Sequence, residues 1–218
     1  MSLDDAEDPA NTAAARPVAV LLYPGCIFFE IALAAELLAS LGSALRYYTP
    51  DGAPHLASMG ACILPQGSYA DLARDPGELA AVLVPGGDPG SIIPQQLATP
   101  CLRTAAERGA VLAGICAGNL VLASAGLLRG RRGTHNYTSE HAGAEAVAFT
   151  EAFWEGLRFE HADVMVDRSD DGGPTVITAQ PWAYVRYATA TAEALGLMST
   201  SAAISWRLGH WRGAAGER

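Results

Sequence analysis

A cysteine set between two glycines, Gly114-Ile115-Cys116-Ala117-Gly118-Asn119, is the segment of this sequence best suited to chemistry. The apolar run Ala110-Val111-Leu112-Ala113 precedes it and Leu120-Val121-Leu122-Ala123-Ser124-Ala125 follows, a pattern that predicts a strand turning sharply into a helix. A residue in such a turn sits at the helix N-terminus, where backbone N–H groups and the helix dipole favour negative charge. A thiol there can ionise and act as a nucleophile. The spacing matches the nucleophile elbow Gly-x-Ser-x-Gly, whose crowded turn requires small neighbours. The other reading of Cys116 is a small buried hydrophobe, the usual state of a free cysteine.

Three further features could converge on Cys116. Glu30 stands at the start of the first predicted helix. An ionised carboxylate beside a thiolate raises the thiol pKa, so Glu30 is useful there when protonated, as a hydrogen-bond donor or proton shuttle. The two groups would titrate as a coupled pair. Alternatively, Glu30 is an ordinary first-turn acid favoured by the helix dipole. The loop Val84-Pro85-Gly86-Gly87-Asp88-Pro89-Gly90 is the second feature. Its glycines allow close backbone approach, and the N–H groups of Gly86 and Gly87, with that of Ala117, could form an oxyanion hole. No Gly-Lys-Ser/Thr ending makes it a phosphate loop. The third is His135, in Gly133-Thr134-His135-Asn136-Tyr137, readable as a base, a substrate clamp or a satisfied structural histidine. His141 and His161 are weaker candidates, and His55 and His210 read as surface residues. Ile27, Phe28, Tyr137 and Trp182 suggest an apolar lining.

Those residues need a scaffold that brings strand ends together. Val18 to Tyr23 and Ala80 to Val84 are continuous apolar runs ended by Pro-Gly, as expected of strands buried on both faces of a parallel sheet. Glu30 to Leu41 predicts a helix closed by Gly42, Ala44 to Thr49 a second strand, and 100–108 another helix. Short strands, singly or as a hairpin, are expected around Met59-Gly60, and a short strand over Gly130 to His135. The stretch 139–158 has no clear pattern. Ala162 to Asp167 and Thr175 to Thr178 flank the turn-rich Ser169-Asp170-Asp171-Gly172-Gly173-Pro174, a hairpin signal. Trp182 to Leu195 predicts the closing helix. Alternating strands and helices imply a three-layer α/β sandwich with a mostly parallel sheet and a ligand crevice outside the strands' carboxyl ends.

Composition bounds the partners. The chain has 218 residues, half of them hydrophobic, with a formal net charge of −9. That charge argues against nucleic acid, which wants a basic face. The basic run Arg129-Gly130-Arg131-Arg132 reads as a solvated turn. No apolar run is long enough to cross a membrane, and the acidic start lacks the pattern of a secretory signal. Cys26, Cys62, Cys101 and Cys116 are widely spaced and read as free thiols in a reducing cytoplasm. The histidines show no metal-ligand spacing, so no metal or cofactor is expected. Residues 1–16 are expected to be a disordered acidic tail, 17–197 one domain, and 198–218 a tail that could form an amphipathic helix.

Taken together, Val20 to Gly25 with Glu30, Val84 to Gly87, Gly114 to Gly118, and Gly126-Leu127-Leu128 leading to Thr134-His135 resemble the ThiJ/PfpI superfamily. The resemblance covers about residues 17–197. It implies a flavodoxin-like sandwich, usually dimeric, with a reactive cysteine at the elbow and an acidic partner from the first loop, by position Cys116 and Glu30. Relatives include cysteine peptidases, glutathione-independent glyoxalases, isocyanide hydratases, amidotransferase relatives, oxidation sensors and chaperones. The peptidases and one glutathione-independent glyoxalase group look for histidine directly after the cysteine, where this chain has Ala117. The isocyanide hydratases look for Asp in the first loop and Thr after the cysteine, so Glu30 and Ala117 depart from that group too. The deglycase-like branch, with alanine after cysteine, an acidic partner and a later histidine, fits Glu30, Cys116, Ala117 and His135.

The resulting expectation is a cytoplasmic, homodimeric, cofactor-free enzyme acting on a small electrophile such as a reactive carbonyl, by glyoxalase, hydratase or lyase chemistry. Cys116 attacks carbon, Ala117 and the glycine-loop N–H groups hold the oxyanion, and Glu30 with His135 moves protons. The competing expectation is a redox sensor in which Cys116 becomes a sulfinate held by Glu30.

Overall fold

The computed structural model of the chain describes residues 16–75, 77–168 and 172–215. The expected acidic tail therefore lies, apart from Arg16, outside the described residues, as does the tip of the predicted hairpin at 169–171. In chain order the first elements are β1 (Val18–Leu21), α1 (Phe29–Ser40), β2 (Leu45–Thr49), β3 (Gly67–Ser68), α2 (Tyr69–Arg74) and β4 (Ala81–Val84). Next come α3 (Thr99–Glu107), β5 (Val111–Ile115), α4 (Gly118–Ser124), β6 (Arg132–Gly133), α5 (Ala144–Thr150) and β7 (Arg158–Phe159). The chain then continues through β8 (Val164–Asp167), β9 (Val176–Ala179), α6 (Tyr184–Ala194) and α7 (Thr200–Ala215).

Seven strands form one sheet in the order β3-β2-β1-β4-β5-β9-β8. All neighbours are parallel except β8, which returns antiparallel to β9. Every residue of β1, β4, β5 and β9 is buried, because helices cover both faces and leave no position for an outward polar side chain. In one helical group α1 packs on α6 and α6 on α7; in the other α2 packs on α3 and α3 on α4. This is the three-layer α/β arrangement that the alternating pattern predicts, in the flavodoxin-like form that the resemblance implies.

Several elements are smaller than the sequence suggests. The region around Met59-Gly60 contributes one isolated antiparallel bridge, Leu56 to Cys62, with Gly60 at φ +82°. The strand expected over Gly130 to His135 shrinks to β6, which pairs with β7 outside the main sheet. Gln180-Pro181 delays the closing helix: Pro181–Ala183 form a 3-10 turn before α6 begins. In α7, Ala203 is fully buried while Ile204 and Leu208 are about half exposed, at 48% and 51%. No helix among the described residues is long and apolar enough to cross a membrane.

Candidate active site

The carboxyl ends of β1, β4 and β5 deliver three loops to one place. At the end of β5, Cys116 adopts φ +56°, in the left-handed region that a non-glycine residue rarely occupies. The elbow is pinned from both sides. Cys116 N–H donates to the Ala179 carbonyl on β9 at 3.0 Å, and Asn119 N–H donates to the Cys116 carbonyl at 3.1 Å. The Asn119 side-chain Nδ2 also donates to the Ala179 carbonyl, at 2.9 Å. The small residues around the cysteine follow from crowding. A Cβ on Gly118 would overlap the Val84 carbonyl, and one on Gly114 would lie 2.9 Å from Asn119 Oδ1.

Glu30 reaches this elbow from the first turn of α1 and is only 2% exposed. Its Oε2 accepts the Gly86 N–H at 2.9 Å, and its carboxyl is hydrogen-bonded to the Cys116 thiol. Gly86 lies between the two: a Cβ there would collide with Glu30 Oε2 and sit 2.7 Å from Cys116 Sγ. The loop containing Gly86 is held to the loop after β1 by Ile27 N–H donating to the Gly86 carbonyl at 2.9 Å. Tyr23 Oη donates to the Pro85 carbonyl at 2.9 Å from beneath. Gly87 has φ +119°, and a Cβ there would lie 2.7 Å from the Gly25 carbonyl oxygen, so only glycine allows this approach.

Burial sets the electrostatics. Loss of water raises the Glu30 carboxyl from its ordinary 4.5 to about 7, against the opposing Gly86 and Cys116 hydrogen bonds. Burial and then the Glu30 charge push the Cys116 thiol up to about 12; the N–H groups of Ala117 and Gly87, both hydrogen-bonded to the sulfur, work in the other direction. The pair therefore resists losing both protons. With one proton shared, moving it from sulfur to Glu30 removes the repulsion and leaves a thiolate facing two N–H donors. The arrangement can make a nucleophile without a separate base.

The structure divides the expected site residues by neighbourhood. Cys116, Glu30, Gly86, Gly87 and Ala117 come together. Gly86, expected among the oxyanion donors, instead donates its N–H to Glu30, because the loop crosses directly over that carboxylate. His135 is built into an aromatic cluster: its ring stacks on Trp154 at 3.9 Å, approaches Phe159 at 4.9 Å, and its Nδ1 accepts the Tyr137 N–H at 3.2 Å. Burial alone lowers its pKa to about 4, so it is neutral near pH 7. Among the described residues it makes no hydrogen bond to Cys116 or Glu30. Of the apolar candidates, Ile27 is bridged to Gly86 and Phe28 packs near Tyr47, whereas Trp182 stacks on His141 and donates to Asp163.

Tyr137, expected in the apolar lining, packs beside this cluster, its ring 5.8 Å from that of Trp154. Its phenol, raised to about 12 by burial, also feels the charges of Cys116, Asp88 and Glu30. Its N–H donates to His135 Nδ1, two residues earlier. No group of three or more His, Cys, Asp or Glu among the described residues could hold a metal ion.

Comparison with known proteins agrees with this fold. The profile of the DJ-1/PfpI family matches residues 16–184. An uncharacterised Streptomyces lividans protein from the cpoL 5′ region is 32% identical over 133 residues, which cover 58% of this chain and 91% of that protein. The crystal structure of a DJ-1 superfamily protein from Agrobacterium tumefaciens superposes with a TM-score of 0.71 at 24% identity, covering 90% of this chain and all of that one. Drosophila melanogaster DJ-1beta gives 0.67 at 22% identity, covering 90% of this chain and 97% of its own.

Proposed function

The chain belongs to the DJ-1/PfpI family, and from that footing we propose that it is a cofactor-free, cysteine-dependent enzyme acting on a small electrophile, a reactive carbonyl such as methylglyoxal. The observation that carries the proposal is the hydrogen-bonded Glu30–Cys116 pair, with the Ala117 and Gly87 N–H groups directed at the same sulfur. In this reading the thiol passes its proton to Glu30 as the sulfur attacks the carbonyl carbon. A C–S bond forms and the carbonyl electron pair moves to oxygen, where Ala117 and Gly87 N–H groups hold it. Glu30, raised toward neutrality, then returns the proton, as a shuttle must. Hydration or lyase chemistry on a related electrophile would use the same groups. Ala117, in place of a histidine after the cysteine, speaks against a peptidase.

The same donors favour a second reading. A sulfinate formed on Cys116 by peroxide would find Glu30, Ala117 and Gly87 already in place, which is the geometry of an oxidation sensor. One experiment separates the two. Methylglyoxal turnover that disappears in Cys116→Ser supports the enzyme. No turnover on a panel of aldehydes, together with peroxide oxidation confined to Cys116 by mass spectrometry, replaces it with the sensor.

Two copies of the chain would pair through the face formed by α1, α6 and α7, where Phe29, Trp182, Ile204 and Leu208 are exposed. An Ile204→Arg/Leu208→Arg double variant is then expected to sediment as a monomer, and an unchanged mass would reject that face. The free thiols Cys26, Cys62, Cys101 and Cys116 fit a reducing, cytoplasmic setting.

A further inference from the structure

The turn that presents Cys116 is tied to β9 through a single oxygen. The Ala179 carbonyl accepts two hydrogen bonds, from the Cys116 N–H at 3.0 Å and from the Asn119 side-chain Nδ2 at 2.9 Å. Residues 116 and 119 are the two ends of the turn, so one acceptor fixes the spacing between them. The Asn119 backbone N–H closes the turn by donating to the Cys116 carbonyl at 3.1 Å.

That last bond governs an oxyanion donor. The Cys116 carbonyl and the Ala117 N–H belong to one planar trans peptide and point in opposite directions. With the carbonyl held by Asn119, the direction of the Ala117 N–H is set as well. Cys116 itself occupies the left-handed region at φ +56°, a conformation that persists only where the surroundings over-determine it. Asn119 supplies that constraint twice, by its backbone on the peptide after the cysteine and by its side chain on β9.

The amide does this at a cost. Asn119 is fully buried, and its Oδ1 accepts no hydrogen bond among the described residues. That oxygen lies against Gly114, where a Cβ would come within 2.9 Å of it. An unpaired buried acceptor is destabilising, and a leucine, with the same branching at Cγ, would not carry one. The useful end of the amide is therefore Nδ2, and Gly114 makes room for the other end.

We propose that Asn119 is the positioning residue of the nucleophile: it ties the Cys116 turn to β9 and sets the 116–117 peptide so that the Ala117 N–H faces the reacting atoms. This rests on the reading of Cys116 as the group that attacks a carbonyl. Without the tie, the N–H that serves both the thiolate and the oxyanion is misdirected, and the loss falls on the chemical step rather than on substrate binding.

The test uses Asn119→Leu, which keeps the branching and removes the donor, and Asn119→Ala, which removes the side chain without crowding Gly114. Both are made in a Cys62→Ser background, and Cys116 alkylation is followed by mass spectrometry. The pH midpoint for alkylation by iodoacetamide is expected to rise by about half a unit to one unit, because a hydrogen bond to the charged form is lost. On methylglyoxal, kcat is expected to fall about tenfold to a hundredfold, with KM changed by less than about twofold. Leu122→Ala, a core change in the same helix, is expected to lower the urea midpoint of unfolding while leaving the alkylation midpoint and kcat in place. An unmoved or falling alkylation midpoint in the Asn119 variants, an equal shift in Leu122→Ala, or failure of both Asn119 variants to fold would make Asn119 a core residue only and overturn the proposal. A raised midpoint in a protein whose wild type does not turn over methylglyoxal rejects the carbonyl reading and keeps the positioning role; wild-type turnover with an unmoved midpoint does the reverse.

Discussion

Glu30 and His135 lie at the same end of the sheet, are 2% and 7% exposed, and are both driven toward the neutral form by burial. Their neighbours differ. Around Glu30 are a thiol and the backbone N–H of Gly86, so its proton has somewhere to go. Around His135 are the rings of Trp154 and Phe159, and its Nδ1 is committed to the Tyr137 N–H. Desolvation by itself makes a titratable group neutral; only a second exchangeable proton within hydrogen-bond reach makes it a shuttle. That contrast can be broken most directly by activity. Glu30→Gln is expected to lower kcat on a carbonyl substrate by about 10²–10⁴-fold, the range of a lost general acid–base. His135→Phe, which keeps a ring against Trp154, is expected to lower it by less than about tenfold, by loosening Tyr137. Equal losses in the two variants would mean that His135 also handles the proton.

Stability gives the next largest effect, and here the two groups oppose each other. Glu30 is raised from 4.5 to about 7 on folding, so the folded state binds the proton more tightly. Its favourable share is complete below pH 4.5 and is lost as pH rises to 7, about 3 kcal/mol in all. His135 is lowered from 6.5 to about 4, so the unfolded state binds the proton more tightly. Its favourable share is complete above pH 6.5 and is lost, again by about 3 kcal/mol, as pH falls to 4. Across pH 4.5–6.5 the slopes cancel, and urea melts of the wild type should show little contribution from either group. Glu30→Gln leaves the histidine slope, so stability should rise with pH through this window. His135→Phe leaves the glutamate slope, so stability should fall. Slopes of the same sign in both variants would refute the opposition.

The difference between the two residues was only half legible in the sequence. Glu30 was readable because its partners lie in strong local signals: the apolar runs ending in Pro24-Gly25 and Pro85-Gly86, and the Gly-x-Cys-x-Gly elbow. Parallel pairing of β1, β4 and β5 then carries those ends to one edge without further information. His135 was not readable, because Trp154 and Phe159 lie in or just beyond the stretch 139–158, where neither helical nor strand periodicity stands out. The two-residue strands β6 and β7 that bring Phe159 beside it are too short to have a pattern of their own. The Gly86 role was hidden for another reason. A glycine whose N–H faces an oxyanion and one whose N–H faces a carboxylate look alike until the loop's crossing over Glu30 is known.

The Gly86 crossing can itself be tested. A methyl group on Gly86 has no room between Glu30 Oε2 and the Cys116 side chain, so Gly86→Ala must push the carboxyl and thiol apart. Turnover in Gly86→Ala is expected to fall about tenfold to a hundredfold, a misplacement effect rather than the loss of a group. A variant with normal rates would show that Glu30 and Cys116 need not be in contact.

The smallest effect sharpens the comparison furthest, because it reads the thiol alone. Part of the rise of Cys116 to about 12 comes from the Glu30 charge, the rest from burial. Glu30→Gln removes the charge and leaves the burial. The pH midpoint for Cys116 alkylation by iodoacetamide should therefore fall, by about one unit for a like charge removed at hydrogen-bond distance. His135→Phe should leave it in place, since His135 is neutral near pH 7 and is not among the groups acting on the thiol. The direction is what matters. If Glu30 were present mainly to lower the thiol pKa by donating a proton, its replacement would raise the midpoint. A falling midpoint combined with collapsed turnover would separate the two contributions. It would show Glu30 restraining ionisation at rest while supplying the proton path that lets the thiol react.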